Sequence, residues 1–113
     1  MLNLNIEREL KEIATIKFAS DVVDRIYQTA ETCIDISAIY ALMDKEKEAR
    51  PLDTYIDMLQ ELSSSIMQTI RKIEKLDVEE LDRVGNDLNE VLRSMVQFMQ
   101  GKEFVTLLDG IAA

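Results

Sequence analysis

The stretch PLDTYIDMLQELSSSIMQTIRKIEKLDVEELDRVGNDLNEVLRSMVQFMQ, residues 51–100, carries two apolar series at steps of three and four. Leu52, Tyr55, Leu59, Leu62, Ile66, Ile70 and Ile73 make the first, and Leu81, Val84, Leu88, Val91, Met95 and Phe98 the second. Such steps align side chains along one side of an α-helix, at the near-3.5-residue repeat of left-handed bundle packing. Between the series, Leu76-Asp77-Val78-Glu79-Glu80-Leu81 reads as a helix start. Asp77 can accept from the free N–H groups of the next turn, and Glu80 stands three residues on to complete a capping box. Leu76 can meet Leu81 as a hydrophobic staple. Pro51 suits the first turn of the earlier helix, where its missing N–H is not needed. The join near Lys75–Asp77 is tight, which predicts an antiparallel helical hairpin.

Outward from this hairpin the spacing stays helical. Asp44 to Arg50 is a charged connector or a frayed helix end. Before it, Ile6, Leu10, Ile13, Ile16, Ala19, Val23, Ile26, Ala30, Cys33, Ser37 and Tyr40 keep roughly one phase. An unbroken helix of about 40 residues would run about 60 Å, against about 36 Å for a helix of about 24 residues. The overhang would bare an apolar stripe. Either the segment breaks near Ala19-Ser20-Asp21, or a second chain covers the excess. We expect the break, because Ser20 or Asp21 can cap a new helix at Val22-Val23. Past the hairpin, Gly101 is the expected left-handed residue closing the helix. Phe104, Val105, Leu107 and Leu108, ahead of Asp109-Gly110, then predict a short C-terminal helix. The fold class expected is all-α: a single domain over residues 1–113, an antiparallel helical bundle of about four main helices with a short C-terminal helix.

Composition agrees. Three Gly and one Pro in 113 residues are too few turn residues for an ordinary sheet. An apolar share of 47% with 31% charged residues is that of a globular chain. The net charge is −9, from 22 acids and 13 bases, and neither half of the chain nor its tail is net positive. Phosphate neutralisation dominates nucleic-acid affinity, so direct nucleic-acid binding is not expected, nor is an anionic membrane surface. One cysteine, Cys33, forms no internal disulfide and suits a reducing compartment. The first residues lack the basic and apolar runs of a signal peptide, so the expected location is the cytoplasm.

The chain has no histidine. That removes His-dependent nucleophile systems and the His-bearing zinc, haem and di-iron sites. Asp82, Asn86 and Glu90 share one helix face, as the acids of a solvated helix commonly do, and the run from Asp77 to Asp87 does not match a calcium loop, which needs Gly at its sixth position and Glu at its twelfth. No metal or cofactor is expected. Cys33 keeps phase with Ile26 and Ala30 and reads as a small buried hydrophobe. Met58, Met67, Met95 and Met99 read as core, and Ser63-Ser64-Ser65 as small side chains that admit a neighbouring helix. Gly85, inside a helix, costs about 1 kcal/mol against Ala unless close packing or a binding notch uses it. Arg83, Arg93, Lys102 and Glu103 are residue types from which all-helical chorismate mutases build a site. Arg83 and Arg93 sit in an otherwise acidic helix, without the converging cations a dicarboxylate needs, and the four read as surface.

The expected function is therefore a non-enzymatic protein–protein interaction module: a cytosolic adaptor, an assembly or export chaperone-like protein, or a regulatory subunit. Its partner is another protein, with self-association expected from the length of the first segment. The residues expected to bind are Phe104, Val105, Leu107 and Leu108. The alternatives are a small acidic inhibitor or immunity-type protein that meets a basic site and, third, a small helical enzyme.

Overall fold

The computed structural model describes residues 2–112, and side chains from residue 6 onward. Helix α1 spans Leu2–Leu42, α2 Arg50–Lys72, α3 Val78–Gln100 and α4 Lys102–Ala112. Short 3₁₀ turns, Glu46–Ala49 and Ile73–Lys75, flank α2. Among the described residues there is no strand, and the fold is the expected all-α bundle ending in a short helix.

Pairs of residues fix the directions. Arg8 of α1 meets the turn after α2 at Leu76, whereas Ser37 meets Asp53, so α2 runs antiparallel to α1. Lys11 meets Asp82 and Tyr40 meets Leu107, so α3 runs parallel to α1 and leads to α4 at the C-terminal end of α1. Helices α2 and α3 are thus antiparallel, but each packs chiefly on α1 rather than on the other. The result is a rod of 64 × 21 × 15 Å. Its radius of gyration, 17.9 Å, exceeds the about 13 Å of a compact domain this long.

The expected break at Ala19-Ser20-Asp21 does not occur. Ser20 and Asp21 stay helical and exposed, while Ala19, Val22 and Val23 are buried. Two polar residues inside a helix cost only tenths of a kcal/mol, and a break would forfeit backbone bonds and that burial. The length mismatch is met otherwise. On one side the two 3₁₀ turns, rising about 2 Å per residue, lengthen the return path over residues 46–76 to about 48 Å. That matches α1 from Arg8 to Tyr40, also about 48 Å at 1.5 Å per residue. On the other side, α4 follows α3 and covers the C-terminal end of α1 at Tyr40.

The ends of the helices show which residues do this work. Asp77 accepts from the Glu80 N–H at 2.8 Å and the Glu80 side chain accepts from the Asp77 N–H, the predicted capping box. Pro51 lies in the first turn of α2 as expected. The left-handed closure, however, is at Asp44 (φ 57°) and not at Gly101. The Lys45 N–H donates to the Tyr40 carbonyl at 2.8 Å and the Asp44 N–H to that of Ala41 at 3.1 Å, the paired bonds of a Schellman motif. Gly101 is extended (φ −68°, ψ 153°) and links α3 to α4. A Cβ there would lie 3.1 Å from the Phe98 carbonyl oxygen, so a tight backbone approach, not left-handedness, favours glycine. Gly85 has open space beside it, so close packing does not account for it.

The core runs along α1 through Ala19, Val22, Ile26, Cys33 and Tyr40 and takes in Leu52 and Leu59 of α2. Of the four methionines read as core, Met95 is buried, but Met58, Met67 and Met99 are exposed. They lie beside the stripes rather than on them, where a bundle this narrow has no third layer to cover them. Ser63 is buried in α2, while Ser64 and Ser65 face outward.

Candidate partner-binding surfaces

The C-terminal residues divide between core and surface. Phe104 and Leu107 are buried in the protein's own bundle, whereas Val105 and Leu108 are exposed. An aromatic stack seats α4: Tyr55 of α2 lies flat on Phe98 of α3, with ring centroids 3.5 Å apart, and Phe98 tilts against Phe104 at 5.6 Å. At the far end the Tyr40 hydroxyl donates to the Leu107 carbonyl at 2.8 Å, a buried bond. A Cβ on residue 110 would collide with that hydroxyl, so Gly110 is what lets the Tyr40 ring lie against α4. Between Tyr40, Pro51, Thr106 and Leu107 an open groove of about 560 Å³ remains, with Glu48, Lys102 and Glu103 at its rim.

A second surface was missed in the sequence. Ile6, Leu10 and Ile13 are 51%, 63% and 64% exposed. At 100° per residue they lie about 180° from the side of α1 that Ala19, Val22, Ile26 and Cys33 bury. They are therefore not in phase with the core residues of the same helix, contrary to the sequence reading. Turned inward instead, over the first turns, are Arg8, Lys11, Glu12 and Thr15, all buried or half-buried.

Hydrogen bonds hold that polar side in place. The Arg8 guanidinium donates to the carbonyls of Leu76 at 2.6 Å and Glu74 at 2.8 Å, at the C-terminal end of the α2 run. Those carbonyls lack helical partners and carry the negative end of the helix dipole, so a cation is well placed there. Glu12 pairs with Arg8 at 3.1 Å, Lys11 reaches Asp82 of α3 at 2.8 Å, and the Thr15 hydroxyl donates to the Lys11 carbonyl at 2.7 Å. Turning the helix to bury Ile6, Leu10 and Ile13 would break the bonds of Arg8 to residues 74 and 76 and the pair of Lys11 with Asp82. The signal was in the sequence: Arg8, Lys11, Glu12 and Thr15 themselves recur at three- and four-residue steps.

The other candidates resolve as packing or surface. Cys33 is fully buried, and burial pushes its thiol up to about 11, so it stays protonated and unreactive near neutrality. Burial, then the neighbouring Cys33, raises Tyr55 to about 12; its buried hydroxyl has no hydrogen-bond partner among the described residues. Asp82 is engaged by Lys11, and Arg93 pairs with Glu90 on the open surface. Lys102 and Glu103 edge the α4 groove, whereas Arg83 borders a separate one with Thr69, Leu76 and Val84. Among the described residues no group of three His, Cys, Asp or Glu gathers as a metal ion requires, and no helix is long and apolar enough to cross a membrane.

No family model matches the chain, and no curated protein or solved structure is detectably similar to it.

Proposed function

We propose that this chain is a non-enzymatic protein–protein interaction module, an adaptor, assembly or export chaperone-like protein or regulatory subunit that works through an exposed helical surface. The observation that supports this most is the outward apolar side of α1. Three large aliphatic residues, each more than half exposed, recur at one-turn spacing on a helix whose polar side is bonded inward. A rigid helix with an i, i+4, i+7 apolar series is the form in which helical surfaces are read by partners. Val105 and Leu108 on α4 offer a smaller second patch. The lone buried Cys33 suits action in a reducing compartment such as the cytoplasm.

The test is capture from the native host by three tagged forms: wild type, Leu10→Ser/Ile13→Ser and Val105→Ser/Leu108→Ser. Loss of a partner in either double variant, with far-UV circular dichroism unchanged, identifies the working surface. Identical capture by all three contradicts the reading.

A second reading has one observation in its favour. Glu7, Glu9 and Glu12 balance Arg8, Lys11 and Lys17, so residues 21–113 carry the whole net charge of −9. An inhibitor or immunity-type protein would use that acidic body against a basic site. Its association would weaken steeply with salt, unlike binding to the apolar side of α1.

A further inference from the structure

We infer that Ile6, Leu10 and Ile13 form the seam of an antiparallel homodimer of this chain. The inference rests on the proposal that the outward side of α1 is an interaction surface, and it assigns that surface an occupant. Three observations on this side of the helix point to a second copy rather than to another partner.

The first is charge. Two copies of a chain with net charge −9 repel over most of their surfaces. Residues 1–20 are balanced, with three acids and three bases, and they hold the exposed seam. A neutral end lets one acidic copy approach another there.

The second is spacing. Residues 6, 10, 13 and 17 follow at steps of four, three and four, the repeat by which one straight helix packs on another of the same repeat. Lys17, exposed, ends the apolar run and can lay its stem along it while its ammonium stays in water.

The third is self-complementarity under a two-fold axis. With Leu10 opposite Ile13 of the second copy, antiparallel helices bring each Lys17 within one turn of the other copy's Glu9. Parallel helices in register would instead set Lys17 beside Lys17 on the seam line, a repulsive arrangement. An isologous contact needs this reciprocity, and the antiparallel one has it. Three aliphatic side chains and a lysine stem from each copy are few against the roughly 20–30 residues a side of a standard interface, so the dimer forms reversibly and at high concentration.

Sedimentation equilibrium from micromolar to millimolar concentration tests this on the full chain. Wild type is expected to pass from monomer to dimer. Ile13→Asp is expected to stay monomeric at every concentration with its helix content intact, whereas Val96→Asp, an exposed apolar position on α3, leaves the dimer unchanged. Lys17→Glu should weaken association about tenfold, and adding Glu9→Lys should restore it. A wild type monomeric throughout, or a dimer indifferent to Ile13→Asp, overturns the inference; a dimer not restored by the charge exchange overturns the antiparallel register. If wild type is monomeric yet Leu10→Ser/Ile13→Ser loses a host partner, the homodimer falls and the interaction surface stands.

Discussion

The first and the middle turns of α1 belong to one unbroken helix, yet they turn opposite chemistry to the bundle. From Ala19 to Tyr40 the inward side is aliphatic and closes the core. From Arg8 to Thr15 the inward side is charged and hydroxylated, and the aliphatic residues point to water. A helix is too stiff to rotate one end independently of the other over about two turns. The longer buried stretch therefore sets the phase, and the N-terminal end follows it. Whether that end is merely tolerated or useful depends on what its inward side does, and Arg8 and Lys11 are bonded to α2 and α3. The outward aliphatic side is thus held open by specific contacts.

The widest contrast comes from the same substitution on the two sides. Ile26→Ala, at a position 1% exposed, should destabilise by about 2–5 kcal/mol, because it leaves a cavity where neighbours cannot collapse. Ile13→Ala, at 64% exposed, should change monomer stability by no more than about 0.5 kcal/mol. Urea denaturation at low micromolar concentration compares them, and equal losses would mean that Ile13 is packed in the monomer. At the other end of α1, Gly110→Ala forces the Tyr40 ring off α4 and should cost about 1–3 kcal/mol, as overpacking does. A neutral result would place Tyr40 elsewhere. Arg8→Met keeps the aliphatic stem but loses the bonds to the carbonyls of residues 74 and 76, and should cost about 1–2 kcal/mol. If it is silent, nothing pins the phase at that end. Asp77→Ala, which removes the cap opposite Arg8's turn, should lower the denaturation free energy by about 1 kcal/mol.

These contrasts also mark what could be read from the sequence. The capping box at Asp77 and Glu80, the helix start at Pro51 and the stripes of α2 and α3 were legible because each depends on residues within a few positions of one another. The continuity of α1 was not, because the feature that resolves its length lies elsewhere: 3₁₀ turns beside α2, and α4 packed on the C-terminal end of α1. The left-handed residue falls at Asp44 rather than at a glycine, because Asp can adopt that conformation at modest cost and the connector after α1 needs it. Of the tail, Phe104, Val105, Leu107 and Leu108 were read as one unit, yet a helix shows alternate sides to its groove, and Val105 and Leu108 face out. The phase reversal in α1 was legible in principle. Counted at 100° per residue, its apolar residues share no single side, unlike those of α2 and α3.

Pulsed electron–electron distance measurement between single spin labels tests the central claim, that the outward end of α1 joins two copies antiparallel. Labels are placed on cysteines at the exposed positions Ala14 and Thr32, in a Cys33→Ala background at dimer-forming concentration. The antiparallel seam predicts a label pair within about 20 Å at residue 14 and about 60 Å at residue 32, from the rise of the helix on either side of the axis. Short distances at both positions would indicate a parallel dimer, and no defined distance at residue 14 would mean that this end of α1 does not pair; either contradicts the account.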